Sequence, residues 1–296
     1  MIYTSPMALR EPSVECYIRV WRYTCIVLGM KLVNLLITRG LYIKYLTILL
    51  TKSFWFHVTF GWTPNFTPKI NFLRGSQTSP STSKLIDSVD EALEYSNRHT
   101  NFPAPRMIRF TDGMSGQSFR AFLYKLSDSL GEFEYLEIGV WKGSTAKCVL
   151  CSGKVSATLI DNWSQFGGPK AKAIKKLDRF ISSKKARILD QDFLDIAYNE
   201  IDLRPLVYFY DGPHDEISHF KSAELIKWFK SKLLIFIVDD WNWANVQNGT
   251  LEALARIQAE IVASWEIFPN MRDRKGGRFS RWHNGTYIAI IRISQE

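Results

Sequence analysis

Nowhere in this 296-residue chain is there an apolar run long enough to cross a membrane. About 18 uninterrupted apolar residues would be needed, and the most apolar stretch, from Trp21 to Trp62, is broken repeatedly by single Lys and Arg residues. A secretory signal is not read either, because no short basic start leads into one apolar block and a small-residue cleavage site. Cysteine is scarce: Cys16, Cys25, Cys148 and Cys151 are too few for a disulfide framework, which points to a reducing, cytoplasmic setting. Cys148 and Cys151 form a lone C-x-x-C without a second Cys/His pair, a poor zinc signal, and at i,i+3 in a helical segment they read as two small packed side chains. The G-x-G-x-x-G dinucleotide fingerprint is missing, which disfavours an NAD-dependent dehydrogenase. So are Pro-rich base-gripping tetrapeptides and basic residues interleaved with aromatics along one face, which argues against a nucleic-acid partner.

What is present is an ordinary globular composition, 46% hydrophobic and 23% charged, sufficient for a sizeable core. The formal charge of +9 is unevenly spread. Residues 1–75 carry nine Lys/Arg against Glu11 and Glu15, whereas from Met107 onward 26 basic residues face 23 acidic ones. The surplus therefore belongs to the N-terminal segment, and the rest of the chain needs no polyanionic partner. Residues 1–75 read as a basic, apolar and mainly helical segment. It could lie peripherally on a membrane, with Trp21, Trp55 and Trp62 at headgroup depth, or pack as helices on the domain or on another copy. The Ser/Thr/Pro-rich stretch Ser76–Ser83 reads as a linker, so that residues 76–106 form a linker with one short helix and residues 107–296 the main domain.

Leu85, Val89 and Leu93 at i, i+4, i+8 predict that short helix, and Phe119, Phe122, Leu123, Leu126 and Leu130 predict a second one capped by Gly131. From Glu134 the pattern alternates. EYLEIGV, ATLIDNW, RILDQD, LVYFYDG and LLIFIVDD are near-continuous apolar strands, each ending in or beside an acidic residue. Helical patterns lie between them at Thr145–Gly153, Pro169–Ser183, Glu216–Lys230 and Asn248–Ala263. Such alternation indicates a mostly parallel sheet covered on both faces. SWEIFPNM and GTYIAIIRI then follow with no helix between them, so the last strand is expected to return antiparallel. The predicted class is α/β, a doubly wound Rossmann-like sheet of seven strands with the last reversed.

In such a sheet ligands bind at the carboxyl ends of the strands, near the point where strand order reverses. The first strand ends in Y-L-E-I-G-V-W-K-G-S-T. Gly139 lets backbone approach a ligand, Gly143 permits a tight turn, and Ser144 or Thr145 can cap the next helix. Asp161 ends the second strand, where a carboxylate can accept both hydroxyls of a ribose. Asp190 and Asp192 end the third, near where an adenine edge would lie. Each acid taken singly reads as a solvated strand end, but the series is harder to read that way.

The order E-x-G-x-x-x-G-S-T, an acid ending the second strand, then Y-D-G-P-H-D and V-D-D-W-N-W, resembles class I S-adenosylmethionine-dependent methyltransferases. It is most similar to small-molecule O-methyltransferases of the catechol, macrocin and cephalosporin branches, and to a poorly characterised bacterial and phage branch that shares the wording I-D-N-W-S-Q-F-G-G-P-K and W-H-N-G-T. The resemblance covers roughly residues 107–296. It implies S-adenosylmethionine over the first two strand ends, with Glu137, Gly139, Gly143, Ser144 and Thr145 around the methionine part, Asp161 on the ribose and Asp192 near the adenine. It also implies methyl transfer to the hydroxyl of a small molecule or glycan on the far side.

On that far side, Asp211 and the pair Asp239–Asp240 end adjacent strands. They read as ligands of Mg2+ or a similar divalent cation, or as a cation-free hydrogen-bonded cluster. His214 could deprotonate the acceptor, together with Asp211, or simply order the turn after Pro213. His219 reads as structural, and His283 could line the acceptor pocket. Loops expected to shape that pocket are WSQFGGPK, WNWANVQNG and MRDRKGGRFSRW, the last with Arg272, Arg274, Lys275, Arg278 and Arg281 as candidates for an anionic group or as a solvated charge run. A non-catalytic Rossmann-like scaffold, tethered by residues 1–75 to a membrane or glycan-assembly complex, is the alternative from another class.

Overall fold

A computed structural model describes residues 68–75, 79–98, 108, 111–269 and 281–293. The membrane-surface expectation for residues 1–67, Cys16 and Cys25, and the basic loop residues Arg272, Arg274, Lys275 and Arg278 lie outside the described residues. No helix among the described residues is long and apolar enough to cross a membrane.

The architecture is an α/β doubly wound, Rossmann-like sheet of eight strands. In chain order the elements are β1 (Lys69–Arg74), α1 (Pro80–Arg98), α2 (Gln117–Leu130), β2 (Phe133–Ile138), α3 (Ser144–Leu150), β3 (Val155–Ile160), α4 (Lys170–Ser182), β4 (Ala186–Leu189), β5 (Val207–Tyr210), α5 (Glu216–Glu224), β6 (Leu233–Asp239), α6 (Ala244–Arg256), β7 (Glu260–Phe268) and β8 (Thr286–Arg292). Across the sheet the order is β1-β7-β8-β6-β5-β2-β3-β4. β4, β3, β2, β5 and β6 are parallel, and β8 runs antiparallel to both β6 and β7. The seven strands from Phe133 onward are those expected. The eighth is β1, which pairs antiparallel with the outer edge of β7.

β1 is a strand within residues 1–75, a segment expected to be mainly helical. K-I-N-F-L-R alternates, and Phe72 meets Trp265 of β7 at 5.2 Å between ring centroids, a cross-strand aromatic pair that a strand can form and a helix cannot. The linker reading of Ser76–Ser83 also needs correction, because α1 already begins at Pro80. Ser79 precedes it and its hydroxyl oxygen accepts from the Thr82 backbone N–H, an N-cap that the Ser/Thr/Pro composition concealed. At the other end of the chain, Asn248–Ala263 is helical only to Arg256, and Glu260–Ala263 already belong to β7.

Both faces of the sheet are covered. Leu85, Val89, Phe122, Leu123, Val149 and Leu177 bring α1 to α4 onto one face, and Ala223, Ile226, Val246 and Leu254 bring α5, the short 3-10 turn after it and α6 onto the other. The strand order turns back between β2 and β5. From β2 the chain moves outward to β3 and β4, and from β5 it moves the opposite way to β6. Loops leaving β2 and β5 therefore diverge to opposite faces and leave a crevice above their carboxyl ends.

Candidate active site

That crevice holds a cavity of about 230 Å3. Its wall combines the β2–α3 turn (Gly139, Trp141, Ser144, Thr145), the end of β3 (Asp161, Asn162, Trp163), Asp192 and Phe193 after β4, and Asp211 to His214 after β5. Chain segments far apart in sequence are thus gathered on one rim.

Gly139 shows why the rim can form. Its φ is +93°, and a Cβ there would lie 1.9 Å from the carbonyl oxygen of Asp211. Only glycine lets the ends of β2 and β5 come this close. Gly143 also has positive φ, +68°, but its open side faces Leu177 of α4 and it does not line the cavity. It forms the turn into α3.

Glu137 is a second correction. Its side chain has no exposed surface and accepts hydrogen bonds from Thr145 Oγ1 at 2.6 Å and Tyr135 OH at 2.7 Å. Burial pushes its carboxyl up to about 7 in spite of those donors and a backbone bond from Ala146. Glu137 therefore ties down the start of α3 from beneath the cavity and does not line it.

Asp161 faces the cavity and is already at work. Its two carboxylate oxygens accept from the backbone N–H groups of Trp141 and Trp163, each at 2.6 Å. Both tryptophans have positive φ, +43° and +49°, a region unfavourable for bulky side chains. Asp161 holds these two strained backbones, and Trp163 Nε1 closes the arrangement by donating to the Trp141 carbonyl at 2.9 Å. Each carboxylate oxygen retains a second acceptor site for a hydroxyl. Asp192 accepts from Asn162 Nδ2 at 2.8 Å and from the Leu194 backbone, so the loop after β3 is tied to the one after β4.

Beyond the β5 end stands an acid and imidazole cluster. Burial, then the charges of Asp239 and Asp240, raise the Asp211 carboxyl well above its ordinary range. Asp239 is pushed up to about 7 by burial and by Asp240, and it hydrogen-bonds Asp211. Such a pair shares a proton. Asp240 behaves differently. Burial opposes its ionisation, but hydrogen bonds from His283 and Asn284 and the proximity of His214 outweigh it and lower its carboxyl below the usual range. His214 Nε2 lies 3.4 Å from Asp240 Oδ2 and 4.0 Å from Asp211 Oδ1, and His283 Nδ1 lies 3.6 Å from Asp240 Oδ1. Burial lowers His214 below the usual imidazole value and leaves it neutral at neutral pH.

The cation expected on Asp211, Asp239 and Asp240 does not fit these residues. Asp239 ends β6 and turns to Asp211, whereas Asp240, with φ +57°, turns to His214 and His283. Neither Asp239 nor Asp240 lines the cavity, and among the described residues no three His, Cys, Asp or Glu side chains converge as metal ligands.

His219 is structural as expected: fully buried, lowered to about 3 by burial, and edge-on to Tyr210. Cys148 is buried with its thiol pushed up to about 12, and both described cysteines are free. Residues of the rim that the sequence did not single out are Met114 and Ser115 before α2, and Gln191 and Phe193. Behind Ser115 sits Arg120, an arginine buried on an otherwise apolar helix face, and that mismatch was the available signal.

No family model matches the sequence, and no curated protein is detectably similar to it. Among solved structures the chain is similar to an O-methyltransferase from Bacillus cereus in complex with S-adenosylhomocysteine, at 14% identity over 71% of this chain and 91% of that one, with a TM-score of 0.44. It is similar to the O-methyltransferase TomG of tomaymycin synthesis from Streptomyces achromogenes, in complex with S-adenosylmethionine, at 14% identity over 70% and 90% of the two chains and a TM-score of 0.44. A third is an S-adenosylhomocysteine-bound methyltransferase from Podospora anserina, at 10% identity over 75% and 100%, with a TM-score of 0.42.

Proposed function

We propose that the protein is an S-adenosylmethionine-dependent methyltransferase acting on a hydroxyl of a small molecule or glycan. The observation that carries this reading is the convergence of Gly139, Ser144, Thr145, Asp161, Asp192, Asp211 and His214 on one cavity at the switch point. Asp161 receives the ribose hydroxyls, and Asn162, Asp192 and Phe193 border the adenine. Ser144 and Thr145 lie by the methionine part. Asp211 would hold the cationic part of the donor. Bound there, S-adenosylmethionine supplies an electrophilic methyl group.

Methyl transfer is an in-line displacement, so the protein's work is alignment and removal of one proton. With the donor bound and supplying its methyl group, His214 would take the acceptor's O–H proton and hold it on its ring nitrogen. His214 suits this because burial keeps it neutral, and the imidazolium that results is stabilised by Asp240 at 3.4 Å. Trp243, whose ring meets that of His214 edge-on at 5.4 Å, fixes the imidazole plane.

Titration calorimetry with S-adenosylhomocysteine tests the donor site. The wild-type chain is expected to bind one equivalent, and Asp161→Ala to weaken binding at least about tenfold, the worth of a charge-assisted hydrogen bond. Absence of binding to the wild type, or binding unchanged by Asp161→Ala, would overturn the reading.

A further inference from the structure

The near-neutral total of the main domain conceals a separation of charge. Residues 140–189 hold eleven Lys and Arg and only two acids, Asp161 and Asp178, whereas residues 190–269 hold six basic and fourteen acidic residues. Asp161 is turned into the crevice. The positive excess is therefore carried by the outside of α3 and α4 and their flanking turns, toward the β4 edge of the sheet.

α4 shows how that face is built. Ala173, Leu177 and Phe180 are buried, and Lys172, Lys175 and Arg179 recur at i, i+3, i+7 on the exposed side of the helix. Lys184 and Lys185 extend the stripe past its end. Among the described residues no carboxylate pairs with Lys147, Lys172, Lys175, Arg179, Lys184 or Lys185, although Lys142 and Lys170 nearby each have one. Toward the crevice the cations crowd one another: burial and the charges of Lys147, Arg120 and Lys142 push the Lys176 amine down to about 8 in spite of Asp112. With 13 residues, α4 carries this stripe over about 20 Å.

The stripe starts at the rim of the crevice. The loop that enters α4 lines the cavity from Trp163 to Phe166, and Phe166 is 65% exposed; Met114, on the same cavity wall, is 42% exposed. Apolar tips beside an unpaired cationic face match an anionic bilayer, where the tips enter the headgroup layer and the lysines meet lipid phosphates. A nucleic acid fits the face less well. Nine of the eleven cations are lysines, Arg179 lies over Phe180, and Arg187 donates to Thr158 Oγ1, so neither guanidinium fork is open to a phosphate. Nor does α4 expose an aromatic side chain on which a base could stack.

We propose that the α3–α4 face is a docking surface for an anionic lipid bilayer, and that docking brings the mouth of the crevice to the headgroup layer. The docking stands apart from the donor reading above. Its consequence for the acceptor, an amphiphile presented at that surface, rests on that reading.

The experiment is co-sedimentation of the full chain with vesicles of phosphatidylcholine alone and of phosphatidylcholine and phosphatidylglycerol in equal parts, at low and at high salt. The wild type is expected to pellet with the anionic vesicles only, and to be released by salt as the exposed charges are screened. Lys172→Glu/Lys175→Glu/Arg179→Glu should weaken that binding at least about tenfold. The matched reversal on the opposite face of the sheet, Lys221→Glu/Lys227→Glu/Arg256→Glu, should leave it nearly unchanged. Lys172→Glu/Lys175→Glu changes two exposed side chains only, so it reports even if Arg179→Glu disturbs the fold. No binding by the wild type, binding unchanged by the α4 reversal, or equal loss in both reversals overturns the proposal. So does a wild type that binds single-stranded RNA in preference to the anionic vesicles. A chain that docks but fails to bind S-adenosylhomocysteine leaves the docking surface standing and removes only the amphiphilic acceptor.

Discussion

Asp161 combines two tasks that are usually separate, facing the cavity while holding the amides of Trp141 and Trp163 in a left-handed conformation. Its replacement by alanine is therefore expected to cost stability as well as binding, about 2 kcal/mol in the unliganded protein from two charge-assisted bonds and released backbone strain. Chemical denaturation without ligand measures it. Glu137 makes a sharper prediction. Its folded-state value near 7 exceeds the ordinary 4.5, so between those limits the folded protein holds the proton more firmly than the unfolded chain does. Stability from this group is complete below about pH 4.5 and is lost as pH rises to about 7, by roughly 2–3 kcal/mol. Unfolding curves of wild type and Glu137→Gln across that window should differ in slope by this amount. Parallel curves would show that Glu137 is not held as described. For His214, replacement by alanine is expected to lower kcat by about a hundredfold or more while S-adenosylhomocysteine affinity changes only a few-fold. Because its imidazole lies below the usual range, the acid limb of the pH–rate profile should fall below about pH 6.5. A limb above that value would point to a different base.

Among the elements, what could be read in advance followed from periodicity and what could not followed from contact. The five strands from β2 to β6 were legible because each is an apolar run ending in an acid at the crevice. Gly139 was legible too, since a glycine after a strand is needed where two strand ends approach. β1 was not, because its six residues expose much of their surface and owe their form to the edge of β7. Nor could spacing alone separate Glu137 from Asp161. Both acids end apolar strands, but Glu137 lies two residues further inside and points into the core, while Asp161 follows β3 and points out. Asp239 and Asp240 were read as one ligand pair, although consecutive residues at a strand end turn apart. The contact of α5 with α6 is a further case. A Cβ on Gly249 would stand 2.1 Å from the Glu216 carbonyl oxygen, and α5 begins two residues after His214. Gly249→Ala should therefore destabilise the protein by about 2 kcal/mol through overpacking and lower kcat by displacing the His214 loop. Thermal unfolding and turnover together check it, and a variant of unchanged stability would contradict so tight a crossing.

Across the whole molecule, charge is arranged by direction. Basic groups, Arg120, Lys142 and Lys176, gather around the loop 111–116 and acidic groups at the β5 and β6 ends, so neither sign dominates the crevice. The ordinary composition of residues 107–296 agrees, since the domain shows no surplus of charge for a polyanion. A crystal structure of the full chain with S-adenosylhomocysteine tests this account most directly. Ribose hydroxyls on Asp161 and the thioether sulfur facing Asp211 and His214 are the predicted result. A ligand lodged elsewhere, or lying in the cavity with its ribose away from Asp161, would contradict it.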